Sequence, residues 1–543
     1  MYSGVGFSTA LSIILLLAHH VSAGPTVKVL NGTYEGLSLL SYQQDLFLGV
    51  PYAQPPTGNL RFKAPQSINS TWTRTRPVTN YGDICMQYTV STGLSTSLLD
   101  HPMSEDCLSL NVIRPSSLNS TGLLPVAVWI HGSSRDNNLT NFVRQASAAQ
   151  KPLIAVSINY RLSAFGFIWG SDGVKVNGSA NNGLRDQRLA LHWIQENVAF
   201  FGGDPRRVAI FGQSAGGLSI GKQLIAYGDR DDGLFHGAIM QSGGMAEKWP
   251  YNTTSCSETA SPFECLRNLP VETISAVLNV STTPVFPGTG LGPWLTQVDG
   301  DFLQDGPTES LEKGHFVRLP IMYSTTTGEA TVFMFGGKLD TDDDFRALVA
   351  AGGPDNFTVS AIERLYPNTN GTGLPAGYSP TAEDNQLYGS QWKRGVEFHT
   401  DIVETTSRRM TLKAWAAAGV KAYSARVNLL PPSTTPRLGS HHSIDVSFIF
   451  DALEEDTMSE PQFATASKLM GRAWASFVSN LNPNNHGGIL GFFLRCKPWY
   501  SADSNQFPGL PYGRHGLLRS RTEPALMSFS MPTAIRRPSL SLK

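Results

Sequence analysis

The stretch "RVAIFGQSAGGLSIGKQLIAYG", residues 207–228, decides the fold of this chain. It begins with an apolar, β-branched run typical of a buried strand and ends with the apolar spacing of a helix. Between the two, Gly212 and Gly216 flank Ser214 in a G-x-S-x-G pattern. Glycines lack the Cβ atoms that would collide in a tight strand-to-helix turn, and the N-terminus of the following helix faces the serine. The stretch therefore predicts Ser214 as a nucleophile presented at the end of a strand.

Strands and helices alternate along the rest of the chain. The clearest helical pattern is "RDQRLALHWIQENVAFFG", residues 185–202, where apolar residues recur at three- and four-residue spacing. This alternation predicts an α/β fold with a central, mostly parallel sheet covered by helices on both faces. In such sheets, functional sites collect at the carboxyl ends of the strands. The other predicted strands are "LPVAVWI" (124–130), "PLIAVSINY" (152–160), "GAIMQSG" (237–243), "LPIMYS" (319–324) and "VKAYSARV" (420–427).

Length and charge limit the domain organisation and the partners. The 543 residues contain no Gly/Ser linker, charge block or internal repeat, so we expect one large α/β domain with long insertions over residues 24–507. Residues 508–543 carry five arginines and one lysine against one glutamate and lack periodicity, which predicts a basic, disordered tail. The formal net charge of −1 gives no reason to expect a nucleic acid or an anionic membrane as partner. The sequence does not indicate an oligomeric state.

The N-terminus predicts a secretory signal peptide over residues 1–23. A short apolar run from Ala10 to Ala18 precedes Val21-Ser22-Ala23, a small-residue cleavage motif. A membrane anchor is the alternative, but the apolar run is too short to span a bilayer. No later stretch is long and apolar enough to form a transmembrane helix, so we expect a secreted protein without a membrane span.

Cysteines and glycosylation sequons both fit an oxidising, extracellular location. Four of the five cysteines form two pairs close in sequence, Cys85 with Cys107 and Cys256 with Cys265, which predicts two disulfides and leaves Cys496 over. Metal binding is not expected, because no other ligand residue sits at metal-binding spacing near them. The predicted N-glycosylation sites are Asn31, Asn69, Asn119, Asn138, Asn177, Asn252, Asn279, Asn356 and Asn370.

Several long, ungapped segments resemble the type-B carboxylesterase/lipase family, which includes cholinesterases and fungal lipases. The segments are "FLGVPYAQPPTGNLRF" (47–62), "SEDCLSLNV" (104–112), "NYRLSAFGF" (159–167), "FGGDPRRVAIFGQSAGG" (201–217) and "AIMQSGG" (238–244). The resemblance extends from about Gly49 to His442, which is most of the chain. It implies an α/β-hydrolase fold and a Ser-Glu-His triad, with no metal and no organic cofactor.

The same resemblance implies which residues complete the triad. "LPIMYSTTTGEATVF" (319–333) places the acid on Glu329, although many relatives have Asp-Glu-Gly where this chain has Gly328-Glu329-Ala330. "LGSHHSIDVSFIF" (438–450) resembles a Gly-x-x-His-x-x-acid segment. Counting from Gly439 favours His442 as the base over its neighbour His441.

The implied chemistry is acyl transfer from a carboxylic ester. His442 takes the proton of Ser214 as the hydroxyl attacks the ester carbonyl and returns that proton to the leaving alcohol. Glu329 fixes the imidazole tautomer and stabilises the imidazolium. Water then hydrolyses the acyl-enzyme on Ser214.

The oxyanion loop departs from the family pattern. "WIHGSSRDNN" (129–138) resembles the His/Tyr-Gly-Gly-Gly loop, whose second and third glycine N–H groups stabilise the tetrahedral intermediate together with the residue after the nucleophile. In this chain those donors are Ser133, Ser134 and Ala215. A serine keeps its N–H, but its Cβ costs on the order of 1 kcal/mol if the position needs a positive φ. We therefore predict an active esterase whose rate these two serines limit.

Other matched residues have supporting parts in the family. Arg61 with Glu105, and Arg161 with Asp186, resemble ion pairs that tie loops to the sheet. The resemblance also implies both disulfides and gives Ser242 a supporting hydrogen bond beside the active site. The loop closed by Cys85 and Cys107 is shorter and less apolar than the flap of true lipases, which favours soluble or small esters.

Three functions remain open at this point. The leading interpretation is a secreted serine esterase, and the alternatives are a triacylglycerol lipase and a catalytically impaired binding protein on the same fold. Beyond "NPN" the family pattern fails, and two interpretations of the basic tail stay open. One is an altered reading frame or retained intron in the gene, and the other is a basic interaction tail.

Overall fold

A computed structural model describes most of the chain. The described residues are 24–87, 102–118, 122–132, 138–169, 180–245, 264, 267–280, 294–333, 338–369, 372–486 and 527–530, with secondary structure alone for 276–280 and 527–530. The predicted features that fall outside them are the signal peptide 1–23, Ser133, Ser134, Cys256, Cys265, Cys496 and the sequons at Asn119, Asn177, Asn252 and Asn370.

The strands belong to one large sheet and two small ones. In chain order they are β1 Thr26–Lys28, β2 Thr33–Glu35, β3 Leu37–Leu39, β4 Gln44–Pro51, β5 Arg76–Pro77, β6 Ile84–Cys85, β7 Met103–Ser104, β8 Ser109–Pro115, β9 Leu124–Ile130, β10 Ile154–Ile158, β11 Gly203–Gln213, β12 Gly237–Gln241, β13 Ile321–Thr326, β14 Ala422–Asn428 and β15 Met527–Ser530. The large sheet has the order β15-β14-β13-β12-β11-β9-β10-β8-β4-β3.

Most neighbours in the large sheet are parallel. Every pair from β10 through β9, β11, β12, β13 and β14 to β15 is parallel, and only β8, β4 and β3 join antiparallel at one edge. The smaller sheets are β1-β2-β5 and β6-β7. The carboxyl ends of β9, β11, β12, β13 and β14 therefore meet at one edge of the large sheet.

Helices connect and cover the strands. The α-helices are Thr140–Ala148, Ser163–Phe167, Asn182–Asn197, Ala215–Gln223, Ala226–Asp229, Val271–Val280, Pro307–Lys313, Asp342–Ala350, Asn356–Leu365, Ala382–Tyr388, Trp392–Thr400, Thr406–Ala417, Ile444–Ile449, Glu455–Ser459 and Pro461–Asn480. Short 3-10 turns cover Leu40–Tyr42, Gly58–Leu60, Val198–Phe201 and Glu329–Val332, and a π-helical turn covers Asp401–Thr405. Among the described residues, no helix has both the length and the apolar character needed to cross a membrane.

Side chains of the central strands alternate between two apolar layers. On β9, Val128 packs in the layer that includes the helix Asn182–Asn197, whereas Trp129 packs in the layer that includes the helices Thr140–Ala148 and Pro461–Asn480. This two-residue period is what a sheet covered on both faces requires. The predicted α/β fold, a mostly parallel sheet with helices on both faces, is confirmed.

One segment of the basic tail differs from expectation. The sequence analysis expects no regular structure in residues 508–543, yet Met527–Ser530 form β15 and pair in parallel with β14 from Ala425 to Asn428. Four residues are too few to produce a periodic signal, and the strand is supported by main-chain pairing to an edge that β14 offers.

The predicted cross-links near the N-terminal half are present. Cys85 and Cys107 form a disulfide with a Cα–Cα distance of 5.1 Å. Arg61 Nε donates to Glu105 Oε1 at 2.6 Å, and Arg61 Nη2 donates to Glu105 Oε2 at 2.5 Å. Two-point pairing of this kind holds both planes in a fixed orientation. Arg161 and Asp186 form a second such pair, with Nε 2.8 Å from Oδ2 and almost no exposure of either side chain.

Candidate active site

The turn between β11 and the helix Ala215–Gln223 holds Ser214 in a strained backbone conformation. Its φ and ψ are 56° and −124°, a region that residues with a Cβ seldom adopt. The Ser214 N–H donates to the carbonyl of Gln241 at 2.9 Å. A Cβ on Gly216 would lie 1.9 Å from the carbonyl oxygen of Ile130, so the second residue of this helix has to be glycine. Main-chain contacts therefore fix the position of Ser214.

The loop after β9 approaches this turn through Gly132. A Cβ at this position would lie 2.3 Å from the carbonyl oxygen of Gln213, so only glycine fits. Ala215 is exposed at the start of its helix, where N–H groups have no acceptor within the helix. Its N–H is therefore available to an incoming oxygen. The other two predicted oxyanion donors, Ser133 and Ser134, lie outside the described residues.

Glu329 lies just beyond β13 and is 1% exposed. Its Oε1 accepts hydrogen bonds from Ser242 Oγ at 2.7 Å and from the Thr326 N–H, and its Oε2 lies 2.7 Å from His442 Nδ1. Burial alone would raise the pKa of this carboxyl, but the hydrogen bond and charge of His442 and the two other donors outweigh it and lower the pKa. Glu329 is therefore a carboxylate at neutral pH.

The loops that carry Glu329 and His442 are tied together by main-chain bonds. Gly328 pairs with His441 in a parallel bridge, and the Gly328 N–H donates to the Ser440 carbonyl at 2.9 Å. Because each bridge residue immediately precedes a site residue, the two side chains emerge next to each other. The contact between acid and imidazole thus follows from pairing of the loops.

Of the two adjacent histidines, His442 is the one beside the acid. His441 Nδ1 instead contacts the carbonyl oxygen of His442 at 2.7 Å, whereas His442 Nδ1 lies 2.7 Å from Glu329 Oε2. Gly439 has a φ of 58°, and this left-handed residue turns the chain toward the bridge. The structure therefore places beside Glu329 the histidine that the register from Gly439 favours.

Gln213, the residue directly before Ser214, contacts the ring of His442. Within the described residues no hydrogen bond joins Ser214 Oγ to His442, and Gln213 Nε2 lies 3.0 Å from His442 Nε2 instead. The structure thus brings Glu329 and His442 into contact and places Ser214 next to the residue that touches the ring. The sequence analysis missed Gln213. Its position directly before the serine is the signal that could have identified it.

A second carboxyl near Glu329 and His442, that of Asp445, is fully buried. Asp445 Oδ2 accepts from Gln241 Nε2 at 2.9 Å, and Gln241 Oε1 in turn accepts from Trp474 Nε1 at 2.9 Å. Asp445 Oδ1 has no hydrogen-bond partner among the described residues. Burial raises the pKa of Asp445 to about 6, and the nearby Glu329 charge adds to the increase. The Gly-x-x-His-x-x-acid segment, counted from Gly439, has its acidic residue at Asp445 but does not predict this network.

The end of β12 connects these parts. Gln241 accepts the Ser214 N–H through its carbonyl and binds Asp445 through its side chain. The next residue, Ser242, donates its hydroxyl to Glu329. The supporting hydrogen bond expected of Ser242 is therefore present, and two consecutive residues hold three elements of the site.

His131, in the loop after β9, packs against an aromatic side chain. The His131 ring stacks on Tyr160 with centroids 4.6 Å apart, and the Tyr160 hydroxyl donates to the His131 carbonyl at 2.7 Å. Burial lowers the pKa of His131 to about 4, so the ring is neutral at pH 7. His192 is exposed on the helix Asn182–Asn197. Across the part of the chain described here, no three His, Cys, Asp or Glu side chains converge in a way that could hold a metal ion.

Comparison with known proteins gives consistent matches over nearly the whole chain. A sequence profile described as the carboxylesterase family matches residues 23–510. Lipase 4 of Diutina rugosa is 31% identical over 543 aligned residues, which cover 91% of this chain and 93% of that protein. Secreted lipase 1 of Botryotinia fuckeliana is 31% identical, with 86% of each chain covered.

A further relative and a solved structure agree with these matches. A secreted triacylglycerol lipase of Gibberella zeae is 29% identical, with 85% of this chain and 83% of that protein covered. The crystal structure of Aspergillus niger EstA superposes with a TM-score of 0.73 at 27% identity and covers 88% of this chain and 92% of that one. The expected α/β-hydrolase fold is confirmed by this similarity.

Proposed function

The chain belongs to the carboxylesterase family and is a carboxylic ester hydrolase, and from that premise we propose that it works through an acyl-enzyme on Ser214. His442 is the general base and Glu329 is the acid that orients it. The observation that carries this proposal is the 2.7 Å contact between Glu329 Oε2 and His442 Nδ1, formed by two loops beside a strained serine.

The proton path follows from the tautomer that this contact favours. A carboxylate at Nδ1 keeps a proton on that nitrogen, which leaves the Nε2 lone pair free to accept the hydroxyl proton of Ser214. As Oγ bonds to the ester carbonyl carbon, the imidazolium that forms is stabilised by Glu329. His442 then returns the proton to the departing alcohol, and a water repeats the sequence to release the acid.

The developing oxyanion needs preorganised donors. The N–H of Ala215 meets this need at the helix N-terminus, and we assign the other two donors to the N–H groups of Ser133 and Ser134. Gly132, which packs against the nucleophile turn, anchors the start of that loop. Each such donor contributes on the order of 10²–10³ in turnover.

We also propose that the protein is secreted and glycosylated. Two relatives are named secreted lipases. Asn69, Asn138 and Asn356 are exposed, whereas Asn31 is half-buried and donates from Nδ2 to the Ser70 carbonyl at 2.9 Å. A mature N-terminus at residue 24 and a mass decrease after glycosidase treatment of the secreted protein test this proposal.

A triacylglycerol lipase is the second candidate, because one relative is named a secreted triacylglycerol lipase and others are named lipases. The short loop between Cys85 and Cys107 favours soluble esters instead, so we rank lipase activity second. The two differ in one measurement: a lipase accelerates sharply when its substrate passes from dissolved monomers to an emulsion. A rate that increases with the concentration of dissolved p-nitrophenyl ester, and that shows no sharp acceleration when an emulsion forms, supports the esterase.

An organophosphonate ester that phosphonylates an activated serine tests the triad. We expect covalent labelling of the wild-type protein at Ser214 and none of Ser214→Ala. Ser219→Ala, which changes a buried serine on the following helix, is the matched control and should still be labelled. Labelling of Ser214→Ala, or an unlabelled wild type, would overturn the proposal and favour an impaired binding protein.

A further inference from the structure

Gln213 occupies the side of the His442 ring to which a serine hydroxyl has to bind. Its Nε2 lies 3.0 Å from His442 Nε2. The two side chains are 3% and 5% exposed, so water does not compete freely for this contact. The base therefore meets an amide rather than the nucleophile in this structure.

The direction of this hydrogen bond follows from the other side of the ring. Glu329 is a carboxylate and accepts at His442 Nδ1, so that nitrogen carries the proton of the neutral imidazole. Nε2 then offers only a lone pair, and an amide can bind a lone pair only through its N–H. Gln213 therefore donates to the atom that has to accept the Ser214 proton.

The backbone of Gln213 cannot withdraw to break this contact. The residue ends β11 in register with Gln241 on β12. Its carbonyl oxygen lies so close to Gly132 that a Cβ there would be 2.3 Å away. The main chain of Gln213 is therefore fixed on two sides, by its pairing with β12 and by its packing against Gly132. Release of Nε2 requires rotation of the Gln213 side chain alone.

In its observed orientation the Gln213 amide binds only the neutral ring. Its N–H donates to the Nε2 lone pair, which the imidazolium lacks, and its carbonyl oxygen reaches an imidazolium Nε2–H only after the side chain rotates. A carboxylate in the same place could bind only the imidazolium. The identity of residue 213 therefore biases the proton equilibrium of the base.

Other titratable groups surround the ring and must be held constant in any comparison. Among the described residues, Glu329 faces Nδ1, and the charge of Asp445 acts on His442 from the helix Ile444–Ile449. His441 precedes it in the chain, and Tyr323 lies on β13 within reach of the Glu329 charge. Substitutions confined to residue 213 leave all four in place.

We propose that Gln213 is a positioning residue that holds the neutral base in the resting enzyme and gives way to the Ser214 hydroxyl when substrate binds. This inference rests on the proposed function. The exchange replaces the Gln213 N–H···Nε2 bond with a Ser214 O–H···Nε2 bond, and no covalent bond changes. Because the amide N–H favours unprotonated imidazole, it keeps the base available at lower pH.

The pH profile of kcat/KM for a p-nitrophenyl ester tests this inference with Gln213→Met and Gln213→Glu. Methionine keeps the length without a hydrogen bond, and we expect its acidic limb to move to higher pH. Glutamate stabilises the imidazolium, so its limb should move further, by about one pH unit and hence about tenfold in rate on the limb. Gln223→Met, a buried glutamine without contact to His442, is the control and should keep the wild-type limb.

The outcomes separate this inference from the proposed function. The proposed role of Gln213 is overturned if the wild type and both Gln213 variants hydrolyse the ester with the same acidic limb. It is also overturned if the limb of Gln213→Met moves to lower pH. Either result leaves the proposed triad unaffected. If Gln213→Glu does not fold, the direction of the Gln213→Met limb decides the question. A wild type that is neither labelled at Ser214 nor active overturns the proposed function and this inference with it.

Discussion

The nucleophile turn and the acid–base loops are held in place by different forces. Ser214 is positioned by main-chain packing at glycines, where a Cβ would lie as close as 1.9 Å to a carbonyl oxygen. Glu329 and His442 are brought together by main-chain pairing of their loops, and their side chains are then held by hydrogen bonds between buried polar groups. Steric contacts do not respond to pH, whereas contacts between ionisable groups do. One half of the site is therefore sensitive to side-chain volume and the other to charge.

The largest effect on activity should come from a substitution that removes the charge of Glu329. Glu329→Gln keeps the size of the side chain but removes the charge that stabilises the imidazolium and fixes its tautomer. We expect kcat to fall by about 10⁴, as for other triads with an acid-to-amide change. Steady-state kinetics at pH 8 measure it. The control variant His441→Gln should retain more than a third of the wild-type activity. If its kcat instead fell as far as that of Glu329→Gln, the role of base would have to be assigned to His441.

The turn that holds Ser214 should be destabilised by the addition of a single methyl group. In Gly216→Ala the new Cβ would meet the Ile130 carbonyl oxygen at 1.9 Å, so the helix start must shift. We expect a loss of about 3 kcal/mol in the free energy of unfolding, as for other overpacked sites. Urea denaturation measures this loss. Gly352→Ala, where the nearest atom is 3.6 Å away, is the control and should cost little. A Gly216→Ala variant that is stable and fully active would show that steric contacts at Gly216 do not position Ser214.

Ser242 tests how the two halves are joined. Ser242→Ala removes one of the hydrogen bonds to Glu329 and leaves those from Thr326 and His442. A hydrogen bond to a charged group contributes about 1.5–3 kcal/mol, of which the remaining partners recover a part, so we expect kcat to fall by about tenfold. Unchanged kcat would show that the acid is positioned by its other contacts alone.

Asp445→Asn should leave activity within about threefold and change stability instead. The pKa of Asp445 is raised from its ordinary value of 3.8 to about 6. Its charge therefore destabilises the folded state above pH 6, by up to about 3 kcal/mol, and has no effect below about pH 4. The variant should be more stable than the wild type in urea at pH 8 and equal to it at pH 4. Asp343→Asn, on an exposed helix surface, should show no such pH dependence.

The charge of Glu329 has the opposite effect on the stability of the folded state to the charge of Asp445. Because its folded-state pKa is lowered, its contribution is present above the unfolded value and is lost as the pH falls through the folded pKa. The stability of the Glu329→Gln variant should therefore depend less on pH than that of the wild type as the pH falls below the ordinary carboxyl pKa of 4.5. A steeper profile in the variant would contradict this assignment.

The sequence predicts the part of the molecule that follows from local patterns. The run before Ser214 predicts a strand, and the glycines around it predict a turn that the structure contains, because both depend on neighbours in the chain. The fold class follows from the alternation of such units. Glu329 and His442 were reached through family resemblance, since their contact joins residues 113 positions apart.

The remaining features depend on contacts that no local pattern encodes. Gln213 reaches His442 through the orientation of one side chain, and Gln241 links Asp445 to Trp474 across three elements that are distant in sequence. β15 was missed because its four residues owe their strand conformation to β14. In each case the determining partner lies far along the chain.

The fit of Gly132 has a consequence for how this protein can vary. A Cβ there would lie 2.3 Å from the Gln213 carbonyl oxygen and 2.8 Å from Ser214 Cβ, so this position tolerates no substitution. Thr140 begins the next helix and marks the other end of the loop. Gly132 and Thr140 thus lie on either side of residues 133–137 in the chain. Because we assign two oxyanion donors to Ser133 and Ser134, substitutions at these two positions offer a way to alter oxyanion stabilisation while Gly132 stays unchanged.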